Sequence, residues 1–162
     1  MSLRISTLAL CALPVVVALT GSTAEASAES GTVVPMRSIL RACDYTPIPD
    51  LSSTNVGTAS AVIHTGGGAV TADIHFAEPT APGAHYDVSL IQLPRASSAP
   101  CDAPGPGVAV GALNTDGAGV GNATVRDSLH SGTTGVWVFI RQANPFSQSP
   151  AEFYTSDFPV KV

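Results

Sequence analysis

The sequence predicts an all-β protein: a Greek-key, immunoglobulin-like β-sandwich of about 7–9 short strands, with a β-barrel as the second choice. Residues 29–162 nowhere place apolar side chains at helical spacing over a long window. Short β-prone runs recur instead, separated by Gly, Pro, Asn and Asp. The run 69–76 alternates apolar and polar residues most clearly, as a half-buried strand does. The predicted strands are 32–36, 38–44, 57–64, 69–76, 84–93, 107–115, 121–130, 135–142 and 152–161.

The first residues have the three parts of a secretory signal peptide. Arg4 supplies a positive charge, an apolar run follows from Ile5 to Leu19, and Ala26-Ser27-Ala28 forms a small-residue cleavage pattern. The apolar run is about 15 residues long, short of the roughly 20 that span a bilayer. The sequence therefore predicts a signal peptide at 1–28, a single domain at 29–162 and a secreted, extracellular protein.

The charge balance of the chain is mildly acidic. Seven Lys and Arg residues stand against 12 Asp and Glu residues, which gives a formal net charge of −5. The predicted signal peptide contains one residue of each sign, Arg4 and Glu25, so the balance is the same for the predicted domain. Proteins that bind nucleic acids or anionic membranes carry basic patches. The composition therefore argues against both classes of partner.

Two cysteines, Cys43 and Cys101, belong to the predicted domain. In an oxidising compartment such a pair is expected to form a disulfide, which would tether the Pro/Ala/Ser-rich connection at 94–106. In the chain-entropy model this crosslink stabilises the fold by about 4 kcal/mol. The alternatives are a reactive thiol and a metal-ligating pair.

Four metal-ligating side chains fall on two neighbouring predicted strands. If the strands on either side of the 79–83 turn pair as a hairpin, then Asp73 and His75 share an outer face with His85 and Asp87. Two imidazoles and two carboxylates suit Zn²⁺ or Cu²⁺. The alternative is an ordinary solvated face. The sequence thus predicts, as a second interpretation, a metal-binding module.

A turn at Thr65–Gly68 allows the register of one hairpin to be argued. A four-residue loop pairs Ile63 with Val70 and Ala61 with Ala72, so that apolar residues face apolar residues. A three-residue loop would pair apolar with polar residues. The four-residue loop is therefore the prediction.

The strand carrying Trp137 and Phe139 is apolar on both faces. A hairpin across Ser131–Thr134 would set Arg126 opposite Phe139. The outer face either packs beneath a loop or forms a binding surface from Arg126, Trp137, Phe139 and Phe146. Packing is favoured, because an open aromatic patch is costly for a monomer.

Motifs for catalysis are absent from the sequence. There is no Gly-x-Ser-x-Gly, Ser-x-x-Lys, His-Glu-x-x-His or Cys-x-x-Cys pattern. An enzyme remains a third interpretation, with a pocket assembled from Tyr86, Trp137, Arg141 or Tyr154, since scattered residues can form a site that no motif reports.

Three segments give the chain a family likeness: Gly83–Val88, Leu113–Gly117 and Ala151–Phe158. In these segments it resembles small exported actinobacterial β-sandwich proteins of unassigned function. The resemblance implies fold and export only. Copper/zinc superoxide dismutases have a similar size and shape, but their metal-binding His-x-His is absent from this sequence.

These observations predict an exported, non-enzymatic β-sandwich that acts by binding at the cell surface or in the medium. Its expected partner is a protein or a small-molecule ligand. No cofactor is expected unless the Zn or Cu site exists.

Overall fold

The computed structural model describes residues 31–52 and 56–162. The predicted signal peptide at 1–28 lies outside these residues. The described residues form strands and no helix. None of them therefore belongs to a helix long and apolar enough to cross a membrane. The strands are β1 (Thr32–Arg37), β2 (Ile39–Arg41), β3 (Pro47–Ser52), β4 (Thr58–Gly66), β5 (Ala69–Ala77), β6 (His85–Leu93), β7 (Val108–Asn114), β8 (Val120–Ser128), β9 (Gly135–Gln142), β10 (Glu152–Ser156) and β11 (Val160–Lys161).

One antiparallel sheet contains nine of these strands, in the order β7-β6-β9-β10-β1-β4-β5-β8, with β11 also paired to β9. β1 joins the two halves, because residues 32–35 pair with β4 and residues 36–37 pair with β10. The terminal strands β7 and β8 lie against each other, since a Cβ on Gly111 would come within 2.8 Å of a Val125 methyl. The sheet is thus nearly closed. The all-β prediction is confirmed, in a form close to its barrel alternative.

Every predicted strand overlaps an observed one, but the short strand β3 was not predicted. Pro47 and Pro49 have no backbone N–H, which makes this segment a poor strand by composition. β3 pairs only with β2, as a separate two-stranded sheet. The single predicted strand 152–161 is observed as two strands, β10 and β11.

The predicted register of β4 and β5 is wrong by two residues. Ile63 pairs with Ala72, and Thr65 pairs with Val70, so the loop contains only Gly67 and Gly68. Both glycines have positive φ, 58° and 75°, as the two-residue turn that matches strand twist requires. A shift of two residues leaves every side chain on its predicted face, which explains why the apolar pattern did not reveal it.

The predicted hairpin of β8 and β9 is also wrong. β8 pairs with β5, and β9 pairs with β6, β10 and β11. Arg126 therefore lies opposite Thr71, and Phe139 lies opposite Ser89. The chain crosses from one half of the sheet to the other between these two strands. Alternation identified the buried face of β8 but carries no information about its neighbour.

β9 has a core on each side. Val136, Val138 and Ile140 belong to the main core inside the curved sheet. Trp137 and Phe139 belong to a smaller core on the outside, with Leu40, Ile91, Cys101, Val108 and Phe153. The segment containing β2 and β3 covers this outer core, and this arrangement positions the candidate site.

Candidate functional site

A groove of about 310 Å³ lies beside the disulfide on the outside of the sheet. Four segments form it: the β2–β3 region, the 94–106 connection, β9 and the 143–151 loop. We call it the disulfide groove. Its apolar lining comes from Leu40, Ile48, Pro100, Phe139 and Pro150.

The disulfide between Cys43 and Cys101 is present, as predicted, with Cα atoms 5.6 Å apart. It ties the 94–106 connection to the cover of the outer core. Tyr45 packs edge-on against Trp137, with ring centroids 5.5 Å apart, and its hydroxyl donates a hydrogen bond to the carbonyl oxygen of Ser156 at 2.8 Å. Burial raises the pKa of Tyr45, and the nearby Arg41 opposes this only in part. These contacts fix two walls of the groove.

Two arginines line the groove, and their charges are balanced differently. Arg141 forms ion pairs with Asp102 at 3.0 Å and Asp87 at 3.4 Å. Arg41 instead lies over the Tyr45 ring, with Cζ 4.0 Å from its centroid. Among the carboxylates whose side chains the structure describes, which leaves out residues 50–55, none lies within ion-pair distance of Arg41. Arg41 is therefore the groove cation for which the described side chains provide no anion.

The four predicted metal ligands are not brought together. Asp73 and His75 lie on β5, which pairs with β4 and β8, whereas His85 and Asp87 lie on β6, which pairs with β7 and β9. The predicted hairpin between β5 and β6 is therefore wrong, because the chain changes halves of the sheet at the 79–83 turn. Among the described residues no group of three or more His, Cys, Asp or Glu side chains is placed to hold a metal ion.

Each of these four side chains has other partners. Asp73 accepts a hydrogen bond from Thr124 at 2.6 Å and lies 3.5 Å from His64. The ring of His75 is 2.9 Å from the Asn122 side chain.

On β6, the ring of His85 is 2.8 Å from the Asn114 side chain. Its Nε2 lies 3.6 Å from Asp87, which itself pairs with Arg141. The partners on both strands are those of a solvated outer face, the alternative that the sequence left open.

The predicted aromatic surface is divided by the fold. Trp137 is 0% exposed and Phe139 is 6% exposed, so the packing alternative holds for this face. Its cover is Tyr45 and the disulfide, whereas Phe146 is 96% exposed. Arg126 lies on β8, in the other half of the sheet. Of the predicted binding residues, Phe139 lines the groove and Phe146 lies on the adjoining loop.

Sequence reasoning missed Arg41, Leu40 and Ile48 as groove residues. These residues come from a segment that the sequence presented as one strand and a proline-containing connection. The available signal was the disulfide itself, which predicted that the 94–106 connection and the Cys43 region lie together.

A second depression, of about 370 Å³, lies between the start of the 94–106 connection and the 130–133 turn. Gln92 lies in its wall, and its side chain donates to Asp127 at 2.7 Å and accepts from His130 and Thr133 at 3.0 and 2.7 Å. The Nε2 of His130 accepts from the Gly107 amide at 3.1 Å. These polar groups are already engaged.

Arg95 also lines the depression, but its guanidinium donates to the carbonyl oxygens of both Pro106 and Pro100, whereas Arg41 has one such bond. The depression therefore offers a ligand fewer free donors than the disulfide groove.

Two carboxylates and two tyrosines form a cluster in the main core: Glu78, Tyr86, Glu152 and Tyr154. We call it the Glu–Tyr cluster. Tyr86 donates to one Glu152 oxygen at 2.6 Å, and Tyr154 donates to the other at 2.7 Å. The Tyr154 hydroxyl is also 3.3 Å from Glu78. Paired carboxylates can act as acid and base, but Tyr86 and Tyr154 are at most 1% exposed, so substrate has no access.

The environment of the Glu–Tyr cluster shifts its acidities. Burial, the hydrogen bonds to Glu152 and the two negative charges all raise the pKa of Tyr86 and Tyr154 far above the ordinary 10.0. Burial alone would raise the pKa of Glu78, but hydrogen bonds from Thr80 and Tyr154 outweigh it, and the pKa is lowered. The cluster is thus a structural hydrogen-bond network. Of the four residues predicted to line an enzyme pocket, Tyr86, Trp137 and Tyr154 are buried in the two cores, and Arg141 lines the disulfide groove.

Comparison with protein-family models, with curated proteins and with solved structures finds no match for this chain.

Proposed function

We propose that this chain is an exported, non-enzymatic protein that acts at the cell surface or in the medium by binding a small-molecule ligand in the disulfide groove. The observation that carries the proposal is the groove itself, an apolar cleft with Arg41 in its wall, a cation for which the described side chains provide no anion. Its volume of about 310 Å³ lies at the lower end of the range of ligand pockets.

Binding fits the groove better than catalysis. The strongest pKa shifts among the described residues belong to Tyr86 and Tyr154, which are sealed in the core away from the groove. Ser97 is the hydroxyl of the groove lining, and no histidine belongs to that lining to activate it.

Export is supported by the signal-peptide pattern at 1–28 and by the disulfide, since disulfides persist in oxidising compartments. When the full chain is expressed with its own N-terminus, the protein should be recovered outside the cells. Its measured mass should be that of a chain that starts at Glu29. Retention inside the cells with residues 1–28 still attached would refute export.

Binding is tested on the exported protein by amide NMR spectra recorded with a library of small molecules. The amide signals that a bound molecule shifts should belong to groove residues. A Ser97→Trp substitution, which fills the groove from an exposed position, should remove these shifts. Ser98→Trp is the matched control, because Ser98 is exposed and outside the lining. Shifts elsewhere on the protein, or shifts that survive Ser97→Trp, would contradict the proposal.

A further inference from the structure

The guanidinium of Arg41 is held in place but has free donors. Its Nη1 donates to the Tyr45 carbonyl at 3.3 Å, the one side-chain hydrogen bond that it forms within the described residues. Its Nε is buried and has no hydrogen-bond partner there. A guanidinium has five N–H donors in a planar fork that matches a carboxylate. The tyrosine contacts order this cation in advance, which reduces the entropy lost when an anion binds.

The second arginine of the groove limits the ligand to one anionic group. Arg141 already has two carboxylates, Asp87 and Asp102, within 3.4 Å. A ligand with a second acidic group near Arg141 would meet Asp102, which also lines the groove. The charge pattern therefore favours a monoanion on Arg41.

The rest of the lining favours an aliphatic body over an aromatic one. Leu40, Ile48, Pro100 and Pro150 present aliphatic surface, whereas Phe139 is almost entirely buried. Burying a methylene chain here is favourable by about 0.8 kcal/mol per CH₂ in general.

An extended peptide is a poorer occupant than a small molecule. Peptides often bind by adding a strand to a free sheet edge. Of the two strands in the small sheet at the groove, β3 contains Pro47 and Pro49, which have no N–H to donate.

We infer that the disulfide groove binds a small amphipathic monocarboxylate of the medium-chain fatty-acid class, with its carboxylate on Arg41 and its chain along the aliphatic lining. This inference rests on the proposed function, because it names the ligand class of the same site.

The test uses exported protein from the full chain, with octanoate as the probe and octanamide as its uncharged counterpart. NMR titrations below the micelle-forming concentration should show octanoate shifting groove amides and the Arg41 Nε–H signal. Octanamide should bind at least about tenfold more weakly, since a charge-assisted hydrogen bond is lost. Arg41→Gln should weaken octanoate binding by a similar factor, and Arg41→Lys should weaken it by less.

Arg126→Gln is the matched control, because Arg126 is an exposed arginine in the other half of the sheet. Equal binding of octanoate and octanamide in the groove would overturn the inference while leaving the proposed function standing. If octanoate shifts no groove residue, the inference is also wrong, and the small-molecule library then decides the proposed function. The octanamide comparison needs no variant, so it stays decisive even if Arg41→Gln fails to fold.

Discussion

Raising the pH above 10 should unfold this protein through two tyrosines. Tyr86 and Tyr154 lie in the Glu–Tyr cluster, and each donates its hydroxyl proton to Glu152. Ionisation would remove both donors and place new negative charges beside Glu152 and Glu78 in the core. Burial is the main reason that the pKa of each tyrosine lies far above 10.0 in the folded protein.

The sign and size of the effect follow from linkage. The folded-state pKa of each tyrosine is raised, so its contribution to stability is fully present below the unfolded-state pKa of about 10 and is lost as the pH rises above it. Near pH 11.5 the unfolded chain gains about 2 kcal/mol per tyrosine from ionisation, hence about 4 kcal/mol for both. Small domains are stable by only about 5–15 kcal/mol, so this loss is a large fraction of the total.

The assay combines two signals from the same samples. Urea unfolding followed by the fluorescence of Trp137, the single tryptophan, gives the free energy of unfolding at each pH. Tyrosinate absorbance reports ionisation of the three tyrosines in the chain. Ionisation of Tyr86 and Tyr154 should appear only together with unfolding.

A Tyr86→Phe variant separates this mechanism from general alkaline damage. It should be less stable at pH 8, by about 1–3 kcal/mol, because Glu152 loses a buried hydrogen bond. Its further loss of stability between pH 9 and 11.5 should be smaller than that of the unmodified protein by about 2 kcal/mol. The reasoning is refuted if all three tyrosines ionise near pH 10 while the fold stays intact.

Three further outcomes are expected. A Cys43→Ser/Cys101→Ser double variant should lose about 4 kcal/mol of unfolding free energy in urea, and an unchanged midpoint would contradict the tethering role. Gly119→Ala should fold poorly in a solubility and circular-dichroism assay, because φ is +78° and a Cβ would overlap the carbonyl group of Glu78. Phe146→Ala should change the free energy of unfolding by under about 0.5 kcal/mol, whereas Phe76→Ala should lower it by about 3–5 kcal/mol. Similar changes in melting temperature for the two variants would show that Phe146 is packed.

The strands were predictable because each one carries its own local signal. β5 alternates strictly, and its inward residues Val70, Ile74 and Phe76 are all buried. β9 is apolar on both faces, and both faces are covered. In each case the sequence pattern indicates whether one face or both faces of the strand are buried, and this can be read from that strand alone.

Strand pairing was less predictable because it depends on the whole sheet. β5 and β6 follow each other in sequence but lie in different halves, so the predicted grouping of Asp73 and His75 with His85 failed. The register of β4 and β5 could shift by two residues without exposing Ile63 or burying a polar residue. Alternation has a period of two, so it cannot distinguish such registers.

The site was the least predictable part. Its lining comes from four segments that no sequence motif connects: Leu40–Ile48, Ser97–Asp102, Phe139–Arg141 and Gln148–Pro150. The disulfide prediction linked the first two, and the two-faced strand β9 predicted that something covers Trp137. Arg41 has no local pattern that marks it, because its place in the groove depends on packing against segments that are distant in sequence.

The position of the groove follows from how the outer core is covered. Trp137 and Phe139 must be shielded from water, but the prolines of β3 prevent the covering segment from extending the main sheet. The cover is therefore held by side chains and by the Cys43–Cys101 disulfide, and not by a continuous ladder of backbone hydrogen bonds. A cover attached in this way leaves a gap beside Phe139, and Arg41 lines that gap. A ligand site at this point leaves the main core intact, because the groove lining contains none of the main-core residues.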